Sequence, residues 1–277
     1  MRIAGMQKLT LLDFPGKTAA TVFTPGCNFR CPFCHNGVLV GAEGASMADT
    51  GSADAQESGL SCGEVLAFLD RRRELLDGVC ISGGEPLLQP GLAAFCEAVR
   101  ARGFAVKLDT NGSLPDRLRA LLDAGLIDMV AMDVKNAPAR YAETIGRATC
   151  EIAPLEESLR VLAGSDVPFE LRTTVVRELH SPEDLEALAR WVAAAVTSEG
   201  CSGAAKNTGG AAGTARAGDA GGAAGALHVP WYLQSFKDSD GVLAGEGTLH
   251  AWAPDELHAL LPRLQSILPE TRLRGME

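Results

Sequence analysis

Cys27, Cys31 and Cys34 form a C-x3-C-x2-C pattern inside TPGCNFRCPFCHNG. Three thiols on so short a loop can converge on one metal centre, and thiolate is the ligand that iron–sulfur clusters require. With three ligands for a four-iron cluster, one iron keeps no protein ligand and is open to an exogenous molecule, much as a catalytic zinc site keeps a position free. The alternative on spacing alone is a zinc site closed by the same cysteines and His35. The other cysteines, Cys62, Cys80, Cys96, Cys150 and Cys201, show no short ligand spacing. Cys80 and Cys96 fit strand and helix cores as small apolar groups. Eight cysteines in 277 residues are too few for a disulfide scaffold.

Further polar clusters lie downstream. Ser82-Gly83-Gly84-Glu85-Pro86 combines paired glycines, which let a backbone approach a ligand closely, with a carboxylate that can accept from an ammonium group. Lys107-Leu108-Asp109-Thr110-Asn111-Gly112 and Met132-Asp133-Val134-Lys135 follow, then Arg172-Thr173-Thr174 and Gln234-Ser235-Phe236. Arg172 can clamp a carboxylate bidentately, and Lys135 can neutralise one as a point charge. Any one of these clusters alone reads as a turn or a helix cap. Their recurrence at successive strand ends argues for a common site. His180, His228, His250 and His258 read as structural or exposed.

The elements that must position these groups alternate. Segments 19–24, 78–82, 104–109, 129–133, 169–175 and 228–234 are β-rich, and 63–76, 92–102, 115–124, 155–163, 182–196 and 254–268 carry apolar residues at helical spacing. Strict βα alternation predicts an α/β fold with a parallel sheet and helical crossovers. In barrels of βα units function gathers at the C-terminal strand ends, where the polar clusters fall. Trp231 and Trp252 are expected to pack the closing edge. Residues 43–59 and 198–226 are small, polar or Gly/Ala-rich and read as flexible insertions within one domain spanning 1–277. A net charge of −10 disfavours nucleic acid and anionic lipid, and no apolar run approaches the roughly 20 residues that span a bilayer. These features lead us to expect a cytoplasmic location.

The cysteine loop after a first strand, with Phe33 before the last Cys, resembles the signature of the radical S-adenosylmethionine (SAM) superfamily. SGGEP resembles that family's GGE motif. Taken together, QKLTLLDFPGK, CNFRCPFCHN, SGGEP, KLDTNG, AMDVK and LRTTVV are similar to glycyl-radical-enzyme activases, most of all to anaerobic ribonucleoside-triphosphate reductase activating proteins. The likeness covers most of residues 4–196 and the last strand, and it implies an α/β partial TIM-like barrel of six βα units. It implies a 4Fe–4S cluster on Cys27, Cys31 and Cys34, whose unique iron is chelated by SAM, and reductive cleavage of SAM to a 5'-deoxyadenosyl radical that takes hydrogen from a partner's glycine. It further implies SAM contacts from Phe33, Asn36, Gly83, Gly84, Glu85, Asp109, Thr110, Asn111, Asp133, Lys135, Arg172 and Gln234. His35 is expected to face the cofactor or the incoming peptide. In the related pyruvate formate-lyase activases, residues matching Asp109, Thr110 and Asp133 build a monovalent-cation site. Those activases carry a His near the end of the sixth strand, where this chain has Gln234-Ser235-Phe236, a departure that favours the reductase-activator branch. The implied partners are an anaerobic ribonucleoside-triphosphate reductase and a flavodoxin or ferredoxin as reductant. The rivals are activation of pyruvate formate-lyase or another glycyl radical enzyme, radical chemistry on a small molecule, and a non-catalytic zinc or iron–sulfur module.

Overall fold

The computed structural model describes residues 1–41, 59–197 and 228–275, so the expected insertions at 43–59 and 198–226, save residue 59, lie outside the described residues, as does Cys201. Eight strands form one sheet in sequence order: β1 (Gly5–Thr10), β2 (Ala19–Thr24), β3 (Gly78–Gly83), β4 (Ala105–Thr110), β5 (Met129–Asp133), β6 (Phe169–Val175), β7 (Trp231–Ser235) and β8 (Thr271–Arg274). β1 runs antiparallel to β2, and every later neighbour is parallel. The helices are α1 (Gly37–Val40), α2 (Cys62–Asp70), α3 (Leu92–Arg100), α4 (Pro115–Asp123), α5 (Pro138–Thr144), α6 (Ala153–Ala163), α7 (Pro182–Thr197) and α8 (Pro254–Gln265). This is the mostly parallel sheet that the βα alternation predicts, open as in the partial barrel that the resemblance implies.

Local chemistry sets many of the boundaries. Ser61 and Glu64 close a reciprocal capping box at the start of α2, and prolines occupy the first turn of α4, α5, α6 and α8, where a missing N–H costs nothing. α2 ends at Asp70, short of the expected residue 76; the chain then turns tightly, with Arg72 N–H donating to Leu69 O and Leu76 N–H to Arg72 O, and this turn buries Leu76. Strands β1 and β8 and helices α1 and α5 lie outside the elements expected from the sequence. β1 is an edge strand with Gln7, Lys8 and Leu9 exposed, β8 and α1 have only four residues each, and PARYAET carries few apolar residues. None of the four presents a clear hydrophobic period.

Residue parity divides each central strand into two faces. Val106 and Leu108 of β4, Val130 and Met132 of β5, Leu171 of β6, and Trp231 and Leu233 of β7 are buried in the hydrophobic core with the helices. Their alternates, Lys107, Asp109, Asp133, Glu170 and Arg172, are charged and occupy the opposite face, the barrel interior. Trp231 donates its indole N–H to Thr173 Oγ1 (2.9 Å), and Trp252 is buried beneath the Arg177 guanidinium.

Candidate active site

The chain leaves β2 through Pro25 and Gly26 into the cysteine loop, and the exit of β3 braces that turn. Gly84 N–H donates to Thr24 O (2.8 Å) and Glu85 N–H to Gly26 O (2.8 Å). A Cβ on Gly84 would stand 1.9 Å from Gly26 O, so this crossing of two backbones requires glycine. Distant segments fix the rest of the loop. Arg30 N–H donates to Ile145 O (2.8 Å), and Arg147 donates from Nε and Nη2 to Asn28 O (2.9 and 2.6 Å). From the other side, Leu243 N–H donates to Cys34 O (3.0 Å) and Ala244 N–H to Pro32 O (2.9 Å).

Cys27, Cys31 and Cys34, all free thiols, line one cavity of about 270 Å³. Burial pushes the Cys27 thiol up to about 11 and the Cys31 thiol up to about 12, so without a metal both hold their protons at neutral pH. Phe33, Asn36, Gly83, Gly84, Asp109, Thr110, Asn111, Asp133, Lys135, Arg172 and Gln234 line the same cavity, so the structure gathers the expected residues with one exception. That exception is Glu85. Its fully buried carboxylate accepts from Leu87 N–H (3.0 Å), Thr110 Oγ1 (2.8 Å) and Asn111 N–H (2.7 Å), which anchors the end of β4 behind the cavity wall. Burial pushes Glu85 up to about 7 against the opposing pull of these three donors. Asn111 in turn reaches Asn28 Oδ1 (2.9 Å) from its amide nitrogen and caps Ser113.

The strand ends carry a chain of alternating charge. Arg172 bridges Asp133 Oδ1 (2.8 Å from Nε) and Asp109 Oδ2 (3.3 Å from Nη1), Lys135 pairs with Asp133 Oδ2 (3.1 Å), and Lys107 pairs with Asp109 Oδ1. Burial opposes ionisation of both aspartates, but Arg172 together with Lys107 holds Asp109, and Arg172 together with Lys135 holds Asp133, below the usual carboxylate range. The main chain of Lys135 is fixed from two sides. Its N–H donates to Tyr141 Oη (3.3 Å), and its carbonyl faces His180 Nε2 (2.8 Å), which carries the ring proton because Nδ1 accepts from Val176 N–H (3.1 Å). The Lys135 ammonium sits 5.7 Å above the Phe33 ring centroid. Across the mouth, the His35 ring stacks on Phe236 at 5.6 Å and contacts Lys237 O.

Sequence reasoning missed two features. Lys107 is buried and belongs to the charge chain; its position two residues before Asp109, hence on the same strand face, was the available signal. The stretch 241–244 that holds the cysteine loop offers no signal in its small residues, since its contacts run through the backbone.

The Radical SAM superfamily sequence model matches residues 21–192. The chain is 32% identical over 197 residues to the "Putative glycyl-radical enzyme activating enzyme" of Methanocaldococcus jannaschii, covering 69% of this chain and 75% of that one. It is 25% identical over 205 residues to the pyruvate formate-lyase-activating enzyme of Listeria monocytogenes, again covering 69% and 75%. Among solved structures, Streptococcus suis SuiB bound to precursor peptide SuiA aligns with a TM-score of 0.58 at 12% identity, over 92% of this chain and 48% of that one. At that identity the likeness is one of fold. No helix among the described residues is long and apolar enough to cross a membrane.

Proposed function

Since the chain belongs to the radical SAM superfamily, whose members use a 4Fe–4S cluster and SAM, we propose that it is a glycyl-radical-enzyme activase, and that its substrate is a backbone glycine of an anaerobic ribonucleoside-triphosphate reductase. The observation that carries the activase reading is the 32% identity to the "Putative glycyl-radical enzyme activating enzyme" of Methanocaldococcus jannaschii over three quarters of that protein's length; the choice of the reductase as target rests on the motif resemblance and on Gln234-Ser235-Phe236 at the last parallel strand of the motif set. The chemistry supplied by the bound cluster and SAM is one-electron cleavage to methionine and a 5'-deoxyadenosyl radical, which takes a hydrogen atom from the substrate.

The donor set fits both groups. Cys27, Cys31 and Cys34 are free thiols facing one cavity and would hold three irons. Lys107, Arg172 and Lys135 stand against Asp109 and Asp133, three cations to two carboxylates, which leaves one positive charge to receive the methionyl carboxylate. Gly83 and Gly84 offer a wall without side chains, along which an extended ligand can lie against the backbone. Phe33, Asn36, Thr110, Asn111 and Gln234 complete the lining, while Glu85 acts on the ligand only through the β4 end that it anchors.

The open sheet supports a polypeptide substrate. Among the described residues β1 and β8 are the two ends of the strand order and do not pair, which is the side from which a loop would reach the cavity. A glycine suits such a route because it lacks a side chain and its radical is stabilised by flanking amides. In this reading the chain works as one domain in the cytoplasm, with a flavodoxin or ferredoxin supplying the electron.

The test is anaerobic reconstitution with iron and sulfide, reduction, and addition of SAM with an anaerobic ribonucleotide reductase from the same organism. The expected result is a glycine-centred doublet by electron paramagnetic resonance that collapses when the glycine is α-deuterated. A doublet formed only with pyruvate formate-lyase would move the target. 5'-Deoxyadenosine formation stimulated by a small metabolite, with no protein radical, would overturn the activase reading.

A further inference from the structure

Every carboxylate oxygen of the two aspartates expected to hold a soluble monovalent cation already faces a protein cation. Asp109 Oδ1 takes Lys107 and Asp109 Oδ2 takes Arg172 (3.3 Å), while Asp133 Oδ1 takes Arg172 (2.8 Å) and Asp133 Oδ2 takes Lys135 (3.1 Å). The third expected ligand is engaged too, because Thr110 Oγ1 donates to Glu85 Oε1 (2.8 Å) and accepts from Gly112 N–H (3.1 Å). A further cation would enter a group that already carries one net positive charge, in surroundings where charges are weakly screened. The residues present do not fit a bound alkali ion.

We propose that this chain binds no monovalent cation at Asp109 and Asp133, and that the Lys107 ammonium is the built-in counter-ion that takes its place. Lys107 is 1% exposed and springs from the floor of the barrel, two residues before Asp109 on the same face of β4. The other polar atom near its ammonium is Cys80 Sγ at 3.9 Å, too distant and too weak an acceptor to account for burying the charge. Its partner is therefore Asp109, and through Arg172 it belongs to a five-membered run of alternating sign that ends at Lys135 above Phe33. A tethered ammonium gives Asp109 the counter-charge that a soluble ion would give, with no loss of translational freedom and no dependence on salt. Lys107 is a positioning residue: it acts by holding Asp109, and through it Arg172, in place.

The inference rests on the activase reading only for the meaning of the cavity, and its first readouts need neither cluster nor SAM. The cluster-free protein is compared in sodium, potassium and choline chloride at equal ionic strength, by thermal midpoint and by thallium-205 resonance as a probe of potassium-type sites. A cation held at about a hundredfold its dissociation constant would lift the midpoint by several degrees. The expected result is one midpoint in all three salts and no saturable thallium binding. Saturable thallium binding that is lost in Asp133→Asn overturns the proposal. In Lys107→Met, the midpoint should fall in choline and recover in part with potassium or ammonium, which can enter the vacated place. A Lys107→Met protein with the wild-type midpoint in every salt overturns the role given to Lys107. In reconstituted protein, SAM cleavage should vary less than about twofold among the three salts, and a tenfold stimulation by potassium over choline would overturn the proposal. Failure to cleave SAM in any salt would instead count against the activase reading, leaving the binding measurements to decide the cation question.

Discussion

Glu85 allows a prediction whose size follows from its surroundings. Its ordinary value is 4.5, and burial raises it to about 7 in the folded protein. The native state therefore holds a proton that the unfolded chain has already released, and stability falls as pH rises through the window between those values. It is flat below and above it. At about 1.4 kcal/mol per unit the loss across the window is about 3 kcal/mol. Glu85→Gln keeps the shape and removes the titration. An amide can turn its oxygen to Asn111 N–H, but its nitrogen then faces Leu87 N–H and Thr110, leaving one buried donor without an acceptor. That costs about 1 to 3 kcal/mol at every pH. The variant should thus be less stable in acid, and the gap should close or reverse above neutrality. Thermal midpoints of cluster-free wild type and variant, read by circular dichroism from pH 4.5 to 8, provide the assay. For a chain of this size the relative shift should be roughly 6 to 12 °C. Other titrating groups cancel in the difference between the two curves. Parallel curves would refute the claim that Glu85 titrates near neutrality behind the cavity wall.

The remaining expectations concern the loop and the cations. Cys27→Ala, Cys31→Ala and Cys34→Ala should each abolish the iron–sulfur absorbance and SAM cleavage, whereas Cys96→Ala, at a cysteine buried in α3, should load iron and sulfide normally. Gly84→Ala should destabilise the protein by roughly 2 to 4 kcal/mol and prevent cluster loading, since its Cβ meets the Gly26 carbonyl; Gly63→Ala in α2, where the nearest atom is 3.9 Å away, should be neutral or slightly stabilising by the same melting assay. Lys135→Met and Arg172→Met should weaken SAM binding, measured by calorimetry on reconstituted protein, by about 1.5 to 3 kcal/mol each, with iron and sulfide content unchanged. Wild-type affinity in either variant would remove that side chain from the carboxylate site.

How much was legible in the sequence depended on whether a feature had a period or a spacing. The six central strands and six of the helices repeat apolar residues at two- or three-to-four-residue intervals, and they stand within a few residues of their expected bounds, apart from the early end of α2. Strands β1 and β8 have no such pattern. They are fixed by pairing with β2 and β7, partners distant from any local pattern, so their presence is a tertiary matter. The cavity lining was legible because parallel strands in register bring their C-terminal ends to one side, so a polar cluster after each strand is a statement about space. The partnering of those groups was not legible. Glu85 reads as a ligand residue in SGGEP, but the 3-10 turn at Pro86–Leu88 folds Leu87 N–H back onto its carboxylate and carries the side chain behind the wall. Arg172 and Lys135 read as free clamps, yet register places Asp133 directly beside Arg172 on the neighbouring strand.

The two halves of the site are held by different means, and this follows from where each sits in the chain. The charge run belongs to β4, β5 and β6, whose pairing fixes Lys107, Asp109, Asp133 and Arg172 before any ligand arrives. Lys107–Asp109 joins residues two apart on β4, Arg172–Asp133 joins neighbouring strands, and Arg172–Asp109 reaches across β5 from β6 to β4, so the run is tied to the sheet at three strands. The cysteine loop has no pairing of its own. Its carbonyls at Asn28, Pro32 and Cys34 are held by Arg147, Ala244 and Leu243, residues more than a hundred positions downstream. Those contacts fall on backbone carbonyls while the three thiols line the cavity, and the Cys27 and Cys31 thiols, which burial keeps protonated, carry no charge needing a counter-ion until metal replaces the proton. A sheet that fixes charge and a loop tied by its backbone together bring three cysteine thiols and the Lys135 and Arg172 cations to the lining of one cavity.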